Sequence, residues 1–459
     1  MQPPRQPRHN RLRPLTFSQA MSVKPLIVIQ LNEVNFDVVR HYAGKYDDLP
    51  AFKSLLNDFR ALETFGEQRY EELEPWIQWV SAQTGKTYAE HGVFRLGDVV
   101  NTPDSLVQIF EVLESKGLRV GAISPMNARN RLQRPAYFVP DPWTDTPSDG
   151  SGFSRRLTEM LRQTVNDNAS GRITKRSLFT LAEAVLRSFH FRGTTDLLRL
   201  IRGTRRKPWT KSLILDQLIH LVHRSLWRRA RPDVSFVFLN AGAHIQHHYF
   251  FNAEIDRKSS ANPAWYIAPE ADPVRDMLKV YDRILGDYLA LTRQGVRLMV
   301  ATGLTQVPYD RVKYYYRLKE HARFLSLAGI SCQRVLPRMT RDFEVFFDDN
   351  AQAQAAAEAL GAMRMERTGA VVFGEIELRE RGLFATLTYP DEITPDDAIV
   401  TANGRIERFG ELVAFVAIKN GMHSTRGFAF VSPDVQEALP APPVHVAELF
   451  NLTQRLSMS

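Results

Sequence analysis

Four short runs constrain this chain most. Leu26–Leu31, Leu118–Ile123, Val234–Leu239 and Val296–Ala301 are apolar with hardly a break. A strand with one face in water alternates apolar and polar residues, whereas one that is apolar throughout must be covered on both faces. Stretches with helical signals lie between the runs. Pro50 opens one helix, where its missing N–H costs nothing. Asn101-Thr-Pro-Asp-Ser predicts the start of another, running towards Ser115 and ended by Gly117, and Asp272-Pro273 starts a long amphipathic helix that Gly295 stops. Strands alternating with helices predict an α/β fold with a mostly parallel central sheet and helices on both faces. Such sheets bind ligands beyond the carboxyl ends of their strands. The residues after Leu31, Leu239 and Ala301 are therefore where chemistry is to be sought.

The rhythm is interrupted twice. Residues 141–232 read as a basic helical insertion. Residues 314–415 read as a small α+β cap, with the run Phe343–Phe347, an Ala-rich helix over Ala351–Met363, and two β-type runs, Val371–Leu378 and Leu383–Tyr389. The core is expected over 24–310 and 416–459, closing with a strand at Gly427–Val431 and a helix from His445. Residues 1–23, rich in Pro and Arg and without an apolar stretch, read as a flexible basic arm and not as a secretory signal, with Met21 as an alternative start. The sole cysteine, Cys332, excludes an internal disulfide and an all-cysteine zinc site. No stretch approaches the roughly 20 apolar residues of a membrane span. The expected setting is cytoplasmic, or peripheral at the inner membrane surface.

Positive charge is concentrated. Residues 151–231 hold 18 Lys and Arg against five Asp and Glu, an excess larger than the +8 of the whole chain. Such a segment is either a footprint for an anionic membrane surface or other polyanion, or a solvated helical face. No nucleic-acid module accompanies it, and no specific nucleic-acid partner is expected.

Five blocks at or near the strand ends carry a resemblance. They are Leu26–Asn32; Trp79-Val-Ser-Ala-Gln-Thr-Gly85 with His91-Gly92; Asn240-Ala-Gly-Ala-His-Ile-Gln-His247; Val300-Ala-Thr-Gly303; and Gly421-Met-His423 with Gly427-Phe-Ala-Phe. In order and spacing they resemble the alkaline-phosphatase superfamily, in its type I phosphodiesterase and nucleotide pyrophosphatase branch. The resemblance implies two divalent cations roughly 4 Å apart that hold a phosphoryl oxygen and activate a Thr or Ser nucleophile. This sequence departs from that pattern at most positions. Asn32 stands for the first aspartate, Ala243 for the aspartate of the D-x-x-x-H motif, and Thr302-Gly303 for the D-H pair. The nucleophile position falls at Pro75 or Glu74. His247 and His423 keep the family identity. The resemblance thus leaves His247 and His423 as ligands of one divalent cation, Zn or Mn, with the second metal site lost.

Other polar groups fill the same strand ends. A carboxylate after a buried strand is costly unless it has a partner or a task, which singles out Glu33 and, beside the aligned nucleophile position, Glu74 as catalytic candidates. Asn32, Trp76, Asn240, Thr302 and Arg317 are candidate substrate contacts, Trp76 as an apolar wall with Trp79 and Arg317 as a partner for phosphate or carboxylate. The bland alternative is that Glu33 and Glu74 cap helices or pair with arginines such as Arg95. Two functions stand side by side. One is a hydrolase or group transferase acting on a phosphoester or phosphoanhydride of an anionic, nucleotide-sugar or glycan-linked substrate without the two-metal mechanism. The other is a non-catalytic descendant that binds an anionic ligand or a membrane surface.

Overall fold

The computed structural model describes residues 24–166, 174–256, 260–338, 341–402, 404–435 and 439–458. The expected basic arm over 1–23 lies outside them. The chain opens with strand β1 (Leu26–Leu31), helices α1 (Phe36–Lys45) and α2 (Pro50–Asp58), strand β2 (Arg60–Phe65) and helix α3 (Pro75–Thr84). After the short α4 (Tyr88–His91) come α5 (Ile109–Ser115), β3 (Val120–Ile123) and β4 (Tyr137–Val139). Four helices follow: α6 (Gly152–Asn166), α7 (Lys175–Arg187), α8 (Phe191–Gly203) and α9 (Thr210–Ala230). Strand β5 (Val234–Leu239), helices α10 (Ala241–Tyr249) and α11 (Pro273–Thr292) and strand β6 (Arg297–Ala301) return to the core.

A two-stranded ribbon then leaves the core, its outward strand being β7 (Thr305–Leu318). Beyond it lie α12 (His321–Leu327), β8 (Arg334–Pro337), β9 (Asp342–Phe346), α13 (Asn350–Ala362), β10 (Arg364–Met365), β11 (Phe373–Arg379) and β12 (Gly382–Leu387). Then come β13 (Ile399–Thr401), β14 (Gly404–Ile406) and α14 (Phe409–Leu412), and β15 (Val413–Ser424) runs back antiparallel to β7. Strands β16 (Arg426–Val431) and β17 (Val444–His445) and helix α15 (Glu448–Met458) complete the chain.

The eight-stranded main sheet has the order β17-β2-β16-β6-β1-β5-β3-β4. β1 pairs in parallel with β5 and with β6, while β16 runs antiparallel between β6 and β2. The fold is α/β with a mostly parallel central sheet. All six residues of β1 and of β5 are buried, which is why neither strand alternates in sequence. Side chains of the two faces pack into separate apolar layers: Ile27, Ile29 and Leu31 into one, Leu26 and Val28 into the other. A third apolar cluster, built from Phe324, Phe343, Leu360, Phe373 and their neighbours, lies in the segment beyond the ribbon.

Two helix starts differ from expectation. The closing helix expected from His445 begins at Glu448, because Val444 and His445 pair with β2 as strand β17. The helix predicted from Asn101-Thr-Pro-Asp-Ser begins at Ile109 instead, and Asp98–Asn101 forms a turn of 3-10 helix. The reason is local: Gln108 and Glu111 form a capping box that satisfies the first free N–H groups of α5.

Candidate metal centre and active site

Three elements that meet beyond the carboxyl ends of β1 and β5 build the site. β1 delivers Asn32 and Glu33, α10 delivers His247, and the returning ribbon strand β15 delivers His423. Glu33 has a φ of 60°, a left-handed conformation that a side chain other than glycine seldom adopts. Its N–H donates to the Thr302 carbonyl at 3.1 Å, locking the turn against the end of β6. Strain of this kind, on the order of 1–3 kcal/mol, persists only where the surroundings fix it. The Glu33 side chain is 2% exposed.

Oε2 of Glu33 lies 3.2 Å from Nε2 of His247 and 3.2 Å from Nε2 of His423, and the two Nε2 atoms are 3.3 Å apart. Among the described residues this is the one cluster of three groups able to hold a metal ion. A tetrahedral ion with bonds of roughly 2.0–2.1 Å spaces its ligand atoms by about 3.3 Å, so the triangle fits such an ion with a fourth position open. Nδ1 of His247 faces the Gly421 carbonyl at 3.1 Å. A carbonyl only accepts, so Nδ1 carries the proton and Nε2 offers its lone pair to the centre. Nδ1 of His423 faces the Glu74 carboxylate at 3.6 Å. Gln306 donates through Nε2 to Glu33 Oε2 and to the Ala243 carbonyl. These are the outer partners that orient ligands in metal sites.

Asn32 is held by three side-chain hydrogen bonds at the end of β1. Its Oδ1 accepts from the Trp79 indole at 2.7 Å, and its Nδ2 donates to Glu33 Oε1 at 3.0 Å and to Asn240 Oδ1 at 2.8 Å. Asn32 is a bracket for Glu33. Asn240, at the start of α10, is held in turn by its backbone N–H on Asp216.

The electrostatics fit a site that wants a cation. Burial works against charge on Glu33, yet the two imidazoles hold its carboxyl well below the usual range. Burial pulls His247 down to about 4. Burial also opposes charge on His423, but Glu33 and Glu74 outweigh it and raise its pKa. His423 thus faces two carboxylates, Glu33 at 3.2 Å and Glu74 at 3.6 Å. Glu74 is half-buried and raised by desolvation. It caps α3 by position, but its side chain makes no capping bond. Arg95 pairs with Glu377, so neither Glu33 nor Glu74 is spent on that arginine.

Lys419 was not singled out by sequence reasoning. It stands four residues before His423 on β15, and burial lowers its ammonium to about 8 while Glu33 and Glu74 pull it up. Among the described residues it has no ion-pair partner; the ring of Tyr315 is 6.0 Å from its nitrogen.

The other sequence candidates fall in different places. Trp76 donates its indole N–H to the Phe94 carbonyl at 3.0 Å, and Trp79 is the indole that reaches the site. Thr302 is fully buried; its hydroxyl accepts from the Phe428 N–H at 2.9 Å and faces the Phe428 carbonyl at 3.5 Å. Its side chain ties β6 to β16, and only its carbonyl meets the site, through Glu33. Arg317 pairs with Ala414 at the far end of the ribbon. It is 11 residues along β7 from Gln306, on the order of 30 Å at the rise of a strand. The structure thus brings together Asn32, Glu33, Glu74, Asn240, His247 and His423, and leaves Trp76, Thr302 and Arg317 outside the contacts of the cluster.

Fold and site define a class: an α/β protein with a two-histidine, one-carboxylate cluster at the carboxyl edge of a mostly parallel sheet. Its shape is similar to that of phosphonoacetate hydrolase from Sinorhizobium meliloti 1021, solved with phosphonoformate, at 13% identity over 95% of this chain and 96% of that one, with a TM-score of 0.39. It is also similar to human ectonucleotide pyrophosphatase/phosphodiesterase 5, at 10% identity over 95% and 94% of the two chains and a TM-score of 0.41. The murine counterpart with AMP gives 11% identity, 95% of each chain and a TM-score of 0.38. Overlap of that extent assigns neither an activity nor a ligand to this chain. No family model and no curated protein matches it.

Proposed function

We propose that this chain is a divergent alkaline-phosphatase-superfamily enzyme that hydrolyses or transfers a phosphoester or phosphoanhydride group at a single divalent cation, Zn or Mn. The substrate is anionic, of the nucleotide-sugar or glycan-linked class. One observation carries the reading: the three ligand atoms of Glu33, His247 and His423 face one another at 3.2–3.3 Å, the spacing of ligands around one tetrahedral cation. A cation bound there supplies Lewis-acid polarisation of a phosphoryl oxygen.

The chain's own groups do the rest. Lys419, which makes no ion pair among the described residues, offers its ammonium to the substrate's anionic oxygens. Glu74, free of capping and raised in pKa, takes the proton of the attacking water or acceptor hydroxyl. Pro75 opens α3 and has no nucleophilic atom, so attack is direct, with no covalent intermediate at that position: the new P–O bond forms as the bond from phosphorus to the leaving oxygen breaks, and that oxygen departs with the electron pair and takes its proton from water. Asn32 and Gln306 keep the Glu33 carboxylate in place. The test is turnover, followed by phosphorus NMR, of a panel of phosphodiesters and nucleoside diphosphate sugars by the cation-loaded chain. Cation-dependent release of product, lowered in Glu74→Gln, supports the reading. Tight binding of the same compounds without turnover would leave the non-catalytic function, and turnover indifferent to chelation would sink the metal assignment.

A further inference from the structure

Helices α7 and α8 carry apolar residues on their outer faces as well as on their inner ones. In α7 the inward positions are Ser177, Thr180 and Ala184, with Leu181 and Val185 packed against the core, while Phe179 is 66% and Leu186 76% exposed. Phe179 and Leu186 are seven residues apart and so share a face of the helix. Phe189, before α8, and Phe191, at its start, are 65% and 75% exposed. In α8 the buried positions are Gly193, Leu197 and Leu200, and Leu198 and Ile201 point outward. Gly193 lets α8 lie close on α9, since a Cβ there would meet the Leu221 side chain at 2.5 Å. The inner faces are thus satisfied, and the outer apolar residues are left over. One isolated exposed hydrophobic residue needs no explanation, but these six along two consecutive helices and their junction do.

Cations lie among them. Arg192, Arg202, Arg205 and Arg206 are exposed, and none forms an ion pair among the described residues; Arg199 and Arg187 nearby are taken by Asp196 and Glu183. Arg202 is eleven residues after Phe191, three turns on and on the same face. A second copy of this chain would bring these arginines against one another. A bilayer with anionic lipid complements both features, taking the aromatic and aliphatic tips at the acyl boundary and the guanidinium groups at the headgroups. We infer that the outer face of α7 and α8 docks on an anionic membrane surface. Among the described residues no helix is long and apolar enough to cross a membrane, so the contact lies in the plane of the interface. It does not depend on the activity of the cation site.

The experiment is co-sedimentation of the full chain with vesicles of phosphatidylcholine alone or mixed with phosphatidylserine, at low and at physiological salt. The expected result is binding to the mixed vesicles that weakens as salt rises. Replacing Arg192, Arg202, Arg205 and Arg206 by Gln should lower partitioning on the order of 10²–10³-fold. Phe179→Ser with Phe191→Ser should lower it by about tenfold or more. Both variants remove surface groups only, and an unchanged thermal transition verifies their fold. Absence of binding to mixed vesicles at low salt overturns the inference, as does binding that survives both variants. A drop in oligomeric mass in the Phe variant, without any vesicle binding, would make the face a contact between copies and equally overturn it.

Discussion

Gly421→Ala probes the site without touching a ligand. A Cβ on Gly421 would sit 2.2 Å from Gln306 Oε1 and 2.8 Å from the Gln246 carbonyl. The second neighbour is backbone of α10 and cannot swing aside, so β15 and α10 must move apart. Two supports of the cluster depend on that contact: the Gly421 carbonyl that fixes the His247 tautomer, and the Gln306 amide that holds Glu33. Overpacking of this kind costs about 1–3 kcal/mol, within the margin a domain tolerates. Loss of such outer partners costs about 10–100-fold in metal affinity. The variant is therefore expected to fold, with a somewhat lower thermal transition, and to bind zinc about 10–100-fold more weakly than the parent in competition with a chromophoric chelator. Unchanged zinc affinity in a folded Gly421→Ala protein would refute the coupling of β15 to α10 through this glycine.

Further outcomes follow from the same geometry. Glu74→Gln keeps the shape of the side chain and removes its charge; turnover should fall about 10²–10⁴-fold while cation content stays as in the parent. Unchanged turnover in that variant removes Glu74 from the chemistry. Lys419→Met should weaken binding of inorganic phosphate about 10–100-fold, the worth of a charge-assisted hydrogen bond, and a retained dissociation constant would place the anion elsewhere. Burial raises Asp216 to about 6 against its hydrogen bonds from Tyr281, Ala241 and Asn240. A carboxyl whose pKa rises on folding stabilises below its unfolded value, and that contribution is lost as pH rises through about 6. Relative to the parent, Asp216→Asn should gain about 1–3 kcal/mol between pH 4 and pH 7.5 by chemical denaturation. A pH-independent difference contradicts the assignment.

How much of this was legible in the sequence depends on how each residue reaches the site. β1 and β5 announced themselves because burial on both faces leaves each a single polar position, Gln30 and Ser235, and Asn32, Glu33 and Asn240 follow directly from where those strands end. His247 and His423 came from the order of the motif blocks. Gln306, Lys419 and Gly421 did not, because the register of the β7–β15 ribbon brings them in and nothing local in either strand states that register. Trp76 and Trp79 are both in the first turns of α3, and only the rotation of that helix decides which indole meets Asn32. Thr302 occupies a strand end as expected, but the pairing of β6 with β16 consumes its hydroxyl. The exposed faces of α7 and α8 were illegible for a related reason: a helical period marks an apolar stripe without saying whether it points inward.

The central claim is a single cation held by Glu33, His247 and His423, and the most direct measurement is its stoichiometry. The chain is equilibrated with Zn or Mn, freed of unbound metal, and analysed by elemental mass spectrometry beside His247→Ala and His423→Ala variants of verified fold. The expected result is one cation per chain in the parent and a loss of it in both variants. No cation in the parent, two of them, or parental content in the folded variants would contradict the account.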